Sequence, residues 1–345
     1  MYLEAKRSSE EFYQLASEWN YLLPESASHV PFLRHEYLTT WWQTRGGGEW
    51  PNAELFVVTA RDENHRLVGI APLFFSRNPD GTPALLLLGS IEISDYLDLI
   101  ARPADLPVFL DRLFDFLSGE HAPPWEALDF YNIPDNSPTL PLMRSRAEQH
   151  HWSYIQQALL PSPYIPLPGD WETYLARLDK KQRHEIRRKM RRAESYEKPV
   201  RWYIVQDETS LDSEIDGFLM LMQQDEEKAR FLTDAMRSQI RQSVHTAFQA
   251  GWLQLAFLEI DGEKAAGYLN FDYANQIWVY NSGLNENYRE LSPGWVLLSY
   301  LLQWSNENHR AEFDFMRGGE DYKYRFGGVN RFVVRATAKR KSLRG

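Results

Sequence analysis

The chain contains no cysteine. That absence removes disulfides, thiolate nucleophiles, zinc–thiolate clusters and iron–sulfur ligation, so redox chemistry would need a bound cofactor. Long apolar runs are missing as well. The longest, around Ala84 to Leu88, falls far short of the roughly 18 residues that suggest a membrane span. The opening residues, MYLEAKRSSEEF, show no basic stretch leading into an apolar run, which is the mark of a signal peptide. A soluble cytoplasmic protein is the expectation. A basic excess is absent too: 38 Lys and Arg stand against 48 Asp and Glu, giving a formal charge of −10, the opposite of a general nucleic-acid binder. His150-His151 has no third ligand at metal spacing, so no metal site is expected. Neither a Gly-x-Ser-x-Gly elbow nor a Walker loop anchors a hydrolase or kinase reading.

What is present is a chain of 345 residues, too long for one ordinary core. The run PSPYIPLP, Pro161 to Pro168, cannot sustain a helix and marks the junction between two domains, 1–162 and 163–345. The stretch through Trp42 reads as helical, with Phe12, Leu15, Ala16 and Trp19 at helical spacing and a break at Gly46, Gly47 and Gly48. A hairpin of LFVVTA and RLVGIAPLFF follows, then strand candidates ALLLLGS, DYLDLIA and ALDFYNI with a helix from Leu106 to Leu117. The second half predicts a long helix from Trp171 to about Tyr196, the strand RWYIV, a helical region from Glu214 to Ala250, and a meander of LQLAFLEI, AAGYLNFDY and QIWVYNSGL.

The halves resemble one another. LFVVTARDENHRLVGIAPLFF and LQLAFLEIDGEKAAGYLNFDY share a strand, a polar turn and a second strand entered through a glycine, Gly69 or Gly267. Each copy later shows a short strand ending in Asp-Phe, at Asp129 and at Asp314. Self-similarity on this scale suggests duplication, although two unrelated hairpins can also look alike.

Chemistry concentrates in the second half. After QIWVYNSGL the chain runs into Ser292-Pro293-Gly294 and the amphipathic WVLLSYLLQWS, a helix start. Serine can cap it, proline fits its first turn, and glycine lets a ligand approach the backbone. Free amides there suit a pyrophosphate, while an ordinary cap is the alternative. Against the acidic background, KKQRHEIRRKMRR (Lys180 to Arg192) packs eight Lys and Arg beside the single acid Glu185. Leu175, Leu178, Ile186 and Met190 should face the core, and Lys180, Arg183, Arg187 and Arg191 form an adjoining cationic stripe. Its partners would be either acidic side chains of the protein or the phosphates of a substrate.

The meander followed by the Ser-Pro-Gly helix start resembles the GNAT fold, in which acyl-coenzyme A pyrophosphate lies on the turn before the helix; the usual glycine-rich consensus is reduced here to Ser-Pro-Gly. EFDFMRGGEDYKYRFGG, Glu312 to Gly328, is similar to the closing motif of the acetyltransferase family associated with cellulose and exopolysaccharide biosynthesis. Tyr322 to Gly328 also resembles an element of the Fem peptidoglycan aminoacyltransferases. The likeness extends to PFLRHEYLTTWW, VGIAPL and the basic helix. It implies an α/β protein of two tandem GNAT-like domains, each a mixed, mostly antiparallel sheet flanked by helices, with the N-terminal copy degenerate.

The resemblance also implies roles. Lys323 would stabilise a developing oxyanion or meet a donor phosphate, with a solvated surface lysine as the alternative. Tyr322 would give a proton to the leaving group unless it merely packs. Asp314 would orient the incoming amine or Arg317 unless it caps the Gly318-Gly319 turn. Ser292, Gly294, Asn281, Arg183 and Arg187 would hold the donor, although the asparagine that usually follows the arginine is His184 here. The expected activity is N-acyl transfer, acetyl above all, from acyl-coenzyme A to a primary amine of an amino sugar or envelope precursor, without a metal. Asp225, Glu226 and Glu227 border the acceptor groove in this scheme. A Fem-like enzyme taking aminoacyl-tRNA, and a scaffold in polysaccharide assembly without turnover, are the alternatives.

Overall fold

A computed structural model describes residues 1–340. By its contacts the described chain divides into two compact units, Met1–Pro161 with Arg331 to Arg340, and Ser162–Asn330.

The first unit begins with β1 (Tyr2–Lys6), α1 (Ser9–Tyr13), α2 (Ala16–Leu22) and α3 (His35–Arg45). Ser8 and Glu11 close a capping box at the start of α1, and Gly46, in the left-handed region at φ 53°, ends α3. Then come β2 (Glu54–Leu55), β3 (Val57–Arg61), β4 (Leu67–Ala71), β5 (Leu73–Arg77), β6 (Pro83–Leu87), β7 (Ile100–Ala101), α4 (Leu106–Ser118), β8 (Ala127–Pro134), α5 (Thr139–Gln149) and the start of β9 (Ser153–Pro166). Strands β1, β3, β4 and β7 form one antiparallel sheet. A second joins β2 to β5, β5 to β6, and β6 in parallel to β8.

The opening residues are thus a strand, where helical spacing alone suggested none. Of DYLDLIA only Ile100 and Ala101 pair, and Pro72, with no amide to donate, separates β4 from β5. Residues 331–339 join the first unit because they pair antiparallel with β8, from Val333 opposite Pro134 to Lys339 opposite Ala127. Arg335 there grips the fully buried Asp129 with two hydrogen bonds of 2.7 and 2.6 Å. The sequence reading had left this segment with the second half.

The second unit contains α6 (Trp171–Arg177), α7 (Lys180–Glu194), β10 (Val200–Ile204), α8 (Leu211–Met222), α9 (Glu226–Phe231), α10 (Asp234–Gln249), β11 (Leu253–Ile260), β12 (Glu263–Tyr273), β13 (Gln276–Leu284), α11 (Pro293–Glu307), β14 (Glu312–Asp314), α12 (Asp321–Arg325) and the start of β15 (Val329–Lys339). Its sheet runs β10, β11, β12, β13, β14 and the end of β9, antiparallel except for the parallel β13–β14 pair. Both long helices expected from the sequence are interrupted by side-chain caps. Asp179 accepts from Gln182 N–H and starts α7 afresh, Asp225 caps α9, and Thr233 caps α10.

One core face gathers Leu175, Leu178, Ile186 and Met190 with Ala256, Tyr268, Ile277, Val279, Leu298 and Phe326. The other face of β12 and β13 carries α8 at very close range. A Cβ on Gly267 would come within 3.2 Å of Phe257, Phe218 and Leu221; one on Gly283 would meet Leu221 Cβ and Met222 N at 2.6 Å. The two glycines pair across the strands, so the helix rests directly on backbone.

Gly283→Val should therefore force α8 off the sheet. A loss on the order of 1–3 kcal/mol in urea unfolding is expected, as for overpacking in a filled core. An unchanged midpoint would mean that the contact is easily relaxed.

Candidate functional site

The site begins with an irregularity in β13. Leu269 pairs with Asn281 but Asn270 pairs with Val279, which leaves Tyr280 as an extra residue, a β-bulge. Ile277 and Val279 belong to the core face before it. Past the bulge the alternation shifts by one, and the even-numbered Ser282 and Leu284 reach that same face, beside Tyr268, Leu298 and Phe326.

There they wall a cavity of about 660 Å³, completed by Lys189, Asn285, Glu286, Arg289, Tyr322 and the start of α11 from Ser292 to Trp295. Ser292 sits at the cap position with φ 53° but its side chain makes no capping hydrogen bond, and Pro293 has no amide. The N–H groups of Gly294 and Trp295 consequently have no acceptor among the described residues, and the positive end of a 15-residue helix faces the cavity. A Cβ on Gly294 would lie 2.5 Å from Leu284 Cδ2, so a side chain there would have to push Leu284 aside.

The walls are aromatic and polar at once. Tyr268 is only 4 % exposed, and no hydrogen bond to its hydroxyl or to that of Tyr322 is found among the described residues. Burial holds both phenols above the usual tyrosine value, Tyr322 with a smaller push from the Glu320 carboxylate. The buried Trp295 indole N–H is likewise unpartnered. Lys189 lies 4.1 Å from the Trp295 ring centre, and burial pushes its ammonium below the ordinary lysine value while Glu185, at 3.6 Å, pulls the other way.

A second cavity of about 480 Å³ abuts the first, sharing Ser282, Leu284 and Glu286. Leu221, Gln224, Asp225, Glu226, Glu227, Lys228, Arg230 and Gly283 complete it. The side chains of Glu226 and Glu227 are exposed, whereas Lys228 turns inward and donates to the Ser282 carbonyl at 2.5 Å.

Of the residues that the sequence singled out, Ser292, Gly294 and Tyr322 meet at the first cavity. Lys323 does not line it. This lysine is 3 % exposed, and its ammonium reaches the carbonyls of Met316, Arg317 and Gly318 at 3.3, 3.1 and 2.9 Å, with the Glu320 carboxylate at 2.9 Å. An ammonium has three N–H donors, so these partners occupy them all. Asp314, fully buried, accepts from Met316 N–H at 2.7 Å and fixes the turn in which Arg317 lies. The Asn281 side chain folds onto its own strand and accepts from Ser282 N–H. Arg183 reaches the Ala176 carbonyl at 3.5 Å, and Arg187 is ion-paired with Glu172.

The basic residue of α7 that lines the cavity is instead Lys189, whose position three beyond Ile186 puts it beside the apolar stripe. Tyr268, Ser282, Trp295 and Lys228 carried no signal in the sequence beyond their place in a strand or helix.

Among the described residues no helix is long and apolar enough to cross a membrane, and no cluster of three or more His, Asp or Glu could hold a metal. No curated protein matches the sequence. The structure is similar to that of FemX, with a TM-score of 0.62 and 10 % identity over 96 % of this chain and 97 % of that one. It is similar to L-PGS from Bacillus licheniformis, at 0.53 and 13 % over 89 % and 92 %. A tandem GNAT protein from the clavulanic acid biosynthesis pathway matches at 0.50 and 12 % over 99 % and 100 %. At these identities the likeness is one of fold. Residues 180–324, from α7 through the meander into α12, match the acetyltransferase (GNAT) domain, and the chain is a mixed α/β protein of tandem GNAT-like architecture.

Proposed function

We propose that the second unit is an N-acyltransferase that moves an acyl group from acyl-coenzyme A to a primary amine. The observation that carries this reading is the first cavity, where uncapped helix amides and the half-buried Tyr322, whose hydroxyl makes no hydrogen bond among the described residues, open onto one space. The pyrophosphate of the donor would lie on the N–H groups of Gly294 and Trp295, with Lys189 and Arg289 adding charge at the wall. The thioester would then extend along the end of β13 toward Ser282.

The amine would enter by the second cavity, whose Glu226, Glu227 and Glu286 carboxylates attract a cation. Having lost its proton to the water that the cavity admits, the amine nitrogen attacks the thioester carbon. The tetrahedral intermediate gives a second N–H proton to that water and collapses, the carbon–sulfur bond breaks, the leaving thiolate takes the Tyr322 proton, and solvent returns a proton to the phenolate. Because burial keeps that phenol protonated well above neutral pH, it can serve as the acid over the whole physiological range. The similarity of Glu312 to Gly328 to the closing motif of exopolysaccharide acetyltransferases supports an amino sugar or envelope precursor as the acceptor. A second reading, aminoacyl ester transfer from tRNA, draws on the exposed basic residues of α7, among them Lys180, Lys181, Arg188 and Arg191. Charged tRNA, but no acyl-coenzyme A, would then stabilise the protein against heat.

Two substitutions test the site. Tyr322→Phe should lower kcat by roughly 10²-fold, the usual scale for a positioned acid. The KM for acetyl-coenzyme A should stay nearly constant, both being read by thiol release with a panel of amines. Gly294→Val should displace Leu284 and obstruct the helix amides. A rise of about 10-fold or more in the KM for the donor is expected, the loss of one good hydrogen-bonded contact or more. Unaltered donor affinity in that variant would place the pyrophosphate elsewhere.

A further inference from the structure

Two lysines lie near the site, Lys323 buried and Lys228 half-buried, and only one has a hydrogen to spare. The Lys323 ammonium is spent on three carbonyls and the Glu320 carboxylate. Lys228, by contrast, reaches only Ser282, at 2.5 Å to the carbonyl and 3.4 Å to the hydroxyl. Both of those acceptors sit on the residue that walls the two cavities in common. With three N–H donors, the ammonium keeps at least one that no group among the described residues claims.

Burial lowers the proton affinity of this ammonium, and two carboxylates oppose that effect without touching it. The Asp225 carboxylate on its own helix and Glu320, ahead of α12, act on it through space, and neither forms an ion pair with it among the described residues. Asp225 is itself committed to the N–H groups of Glu227 and Lys228. Within α9 the neighbours Glu226, Glu227 and Arg230 are exposed, so Lys228 is the side chain that this helix directs at β13. The helix can do so because the Gly267–Gly283 pair lets α8, which precedes it, lie directly on the strands.

We propose that Lys228 is the catalytic electrophile of the acyl transfer, its free N–H donating to the oxygen of the reacting carbonyl at the seam between the cavities. The assignment rests on the acyl-transfer reading above. As the amine nitrogen bonds to the carbonyl carbon, the carbonyl π electrons move onto oxygen, and a fixed ammonium there stabilises that charge with little reorganisation. When the intermediate collapses, the electron pair returns and the thiolate leaves with the Tyr322 proton; Lys228 gains and loses nothing. Only its protonated form can act. Burial lowers its affinity for that proton, against the pull of Asp225 and Glu320. Activity should therefore fall as pH rises through a value below that of an ordinary lysine.

The test uses the full-length protein with acetyl-coenzyme A as the probe and thiol release with a panel of amines as the readout. Lys228→Met should lower kcat by about 10²- to 10³-fold, the scale of one lost oxyanion donor, with the KM for acetyl-coenzyme A changed less than threefold. Lys228→Arg should recover part of the rate and move the alkaline limb to higher pH, since a guanidinium stays charged. Should Lys228→Met fail to fold by circular dichroism, Lys228→Arg and its pH profile decide alone. A kcat within threefold of the wild type in Lys228→Met, a loss confined to the KM for the amine, or an unmoved alkaline limb in Lys228→Arg overturns the assignment while leaving acyl transfer intact. A wild-type protein that releases no thiol with any amine overturns the functional reading and the assignment with it.

Discussion

Two glycines facing each other across β12 and β13 allow a helix to lie almost in contact with the sheet backbone. The wall that α8 and α9 give the second cavity follows from that approach. Leu221 and Met222, at the end of α8, rest where any side chain on Gly283 would stand. From there the chain has only Gln223 and Gln224 before Asp225 caps α9, so the position of α9 is set by the position of α8. The inward turn of Lys228 onto Ser282 follows from this seating, and with it the shared wall between the two cavities.

Cations in the second unit are placed according to what they can no longer do. The Lys323 ammonium is buried in a cage of carbonyls that shapes the turn after β14, a structural use that consumes its charge. Arg187 is matched by Glu172, and Arg188 by Glu185. Lys189 lies at the cavity wall against the face of Trp295, with the Glu185 carboxylate 3.6 Å away, and the indole attracts its charge without using its hydrogens. A cation that must meet a ligand has to be left incompletely satisfied, and Lys189 and Lys228 meet that condition better than the arginine stripe does.

The two units repeat a plan with different endings. Each has a hairpin with a register shift, at Ala60/Arg61 and at Leu258/Glu259, and each has a glycine opposite a helix ring, Gly69 under Phe109 and Gly267 under Phe218. Each closes with a parallel strand pair around a helix, β6–β8 around α4 and β13–β14 around α11. The first copy enters α4 through Asp105 and Leu106, with nothing like the uncapped Ser292-Pro293-Gly294 turn. The expected strand end at Asp129 does not occur, since β8 runs on to Pro134 and Asp129 within it is bound to Arg335, Thr337 and Asn78, whereas Asp314 ends β14 and holds the turn that leads to α12. The shared plan is one of packing, and the divergence lies in which backbone groups are left open.

By itself the sequence determined the local and periodic features. The apolar spacing of α7, the meander, the Ser-Pro-Gly helix start, the repeated hairpin glycine and the Tyr322 segment were all readable, because helix and strand periods, proline and glycine act on near neighbours. Other features were not readable in this way. The pairing of 331–339 with β8 joins segments about two hundred residues apart, while the Lys323 cage, built from carbonyls five to seven residues away, and the uncapped Ser292 turn depend on backbone dihedrals that the residue types leave open. The bulge at Tyr280, which turns Ser282 and Leu284 toward the cavity, is a matter of cross-strand register and so exists only once β12 and β13 are paired. In the sequence Lys228 merely closes the charged run QQDEEK, residues 223–228. Only the close seating of α8 on two glycines turns it inward.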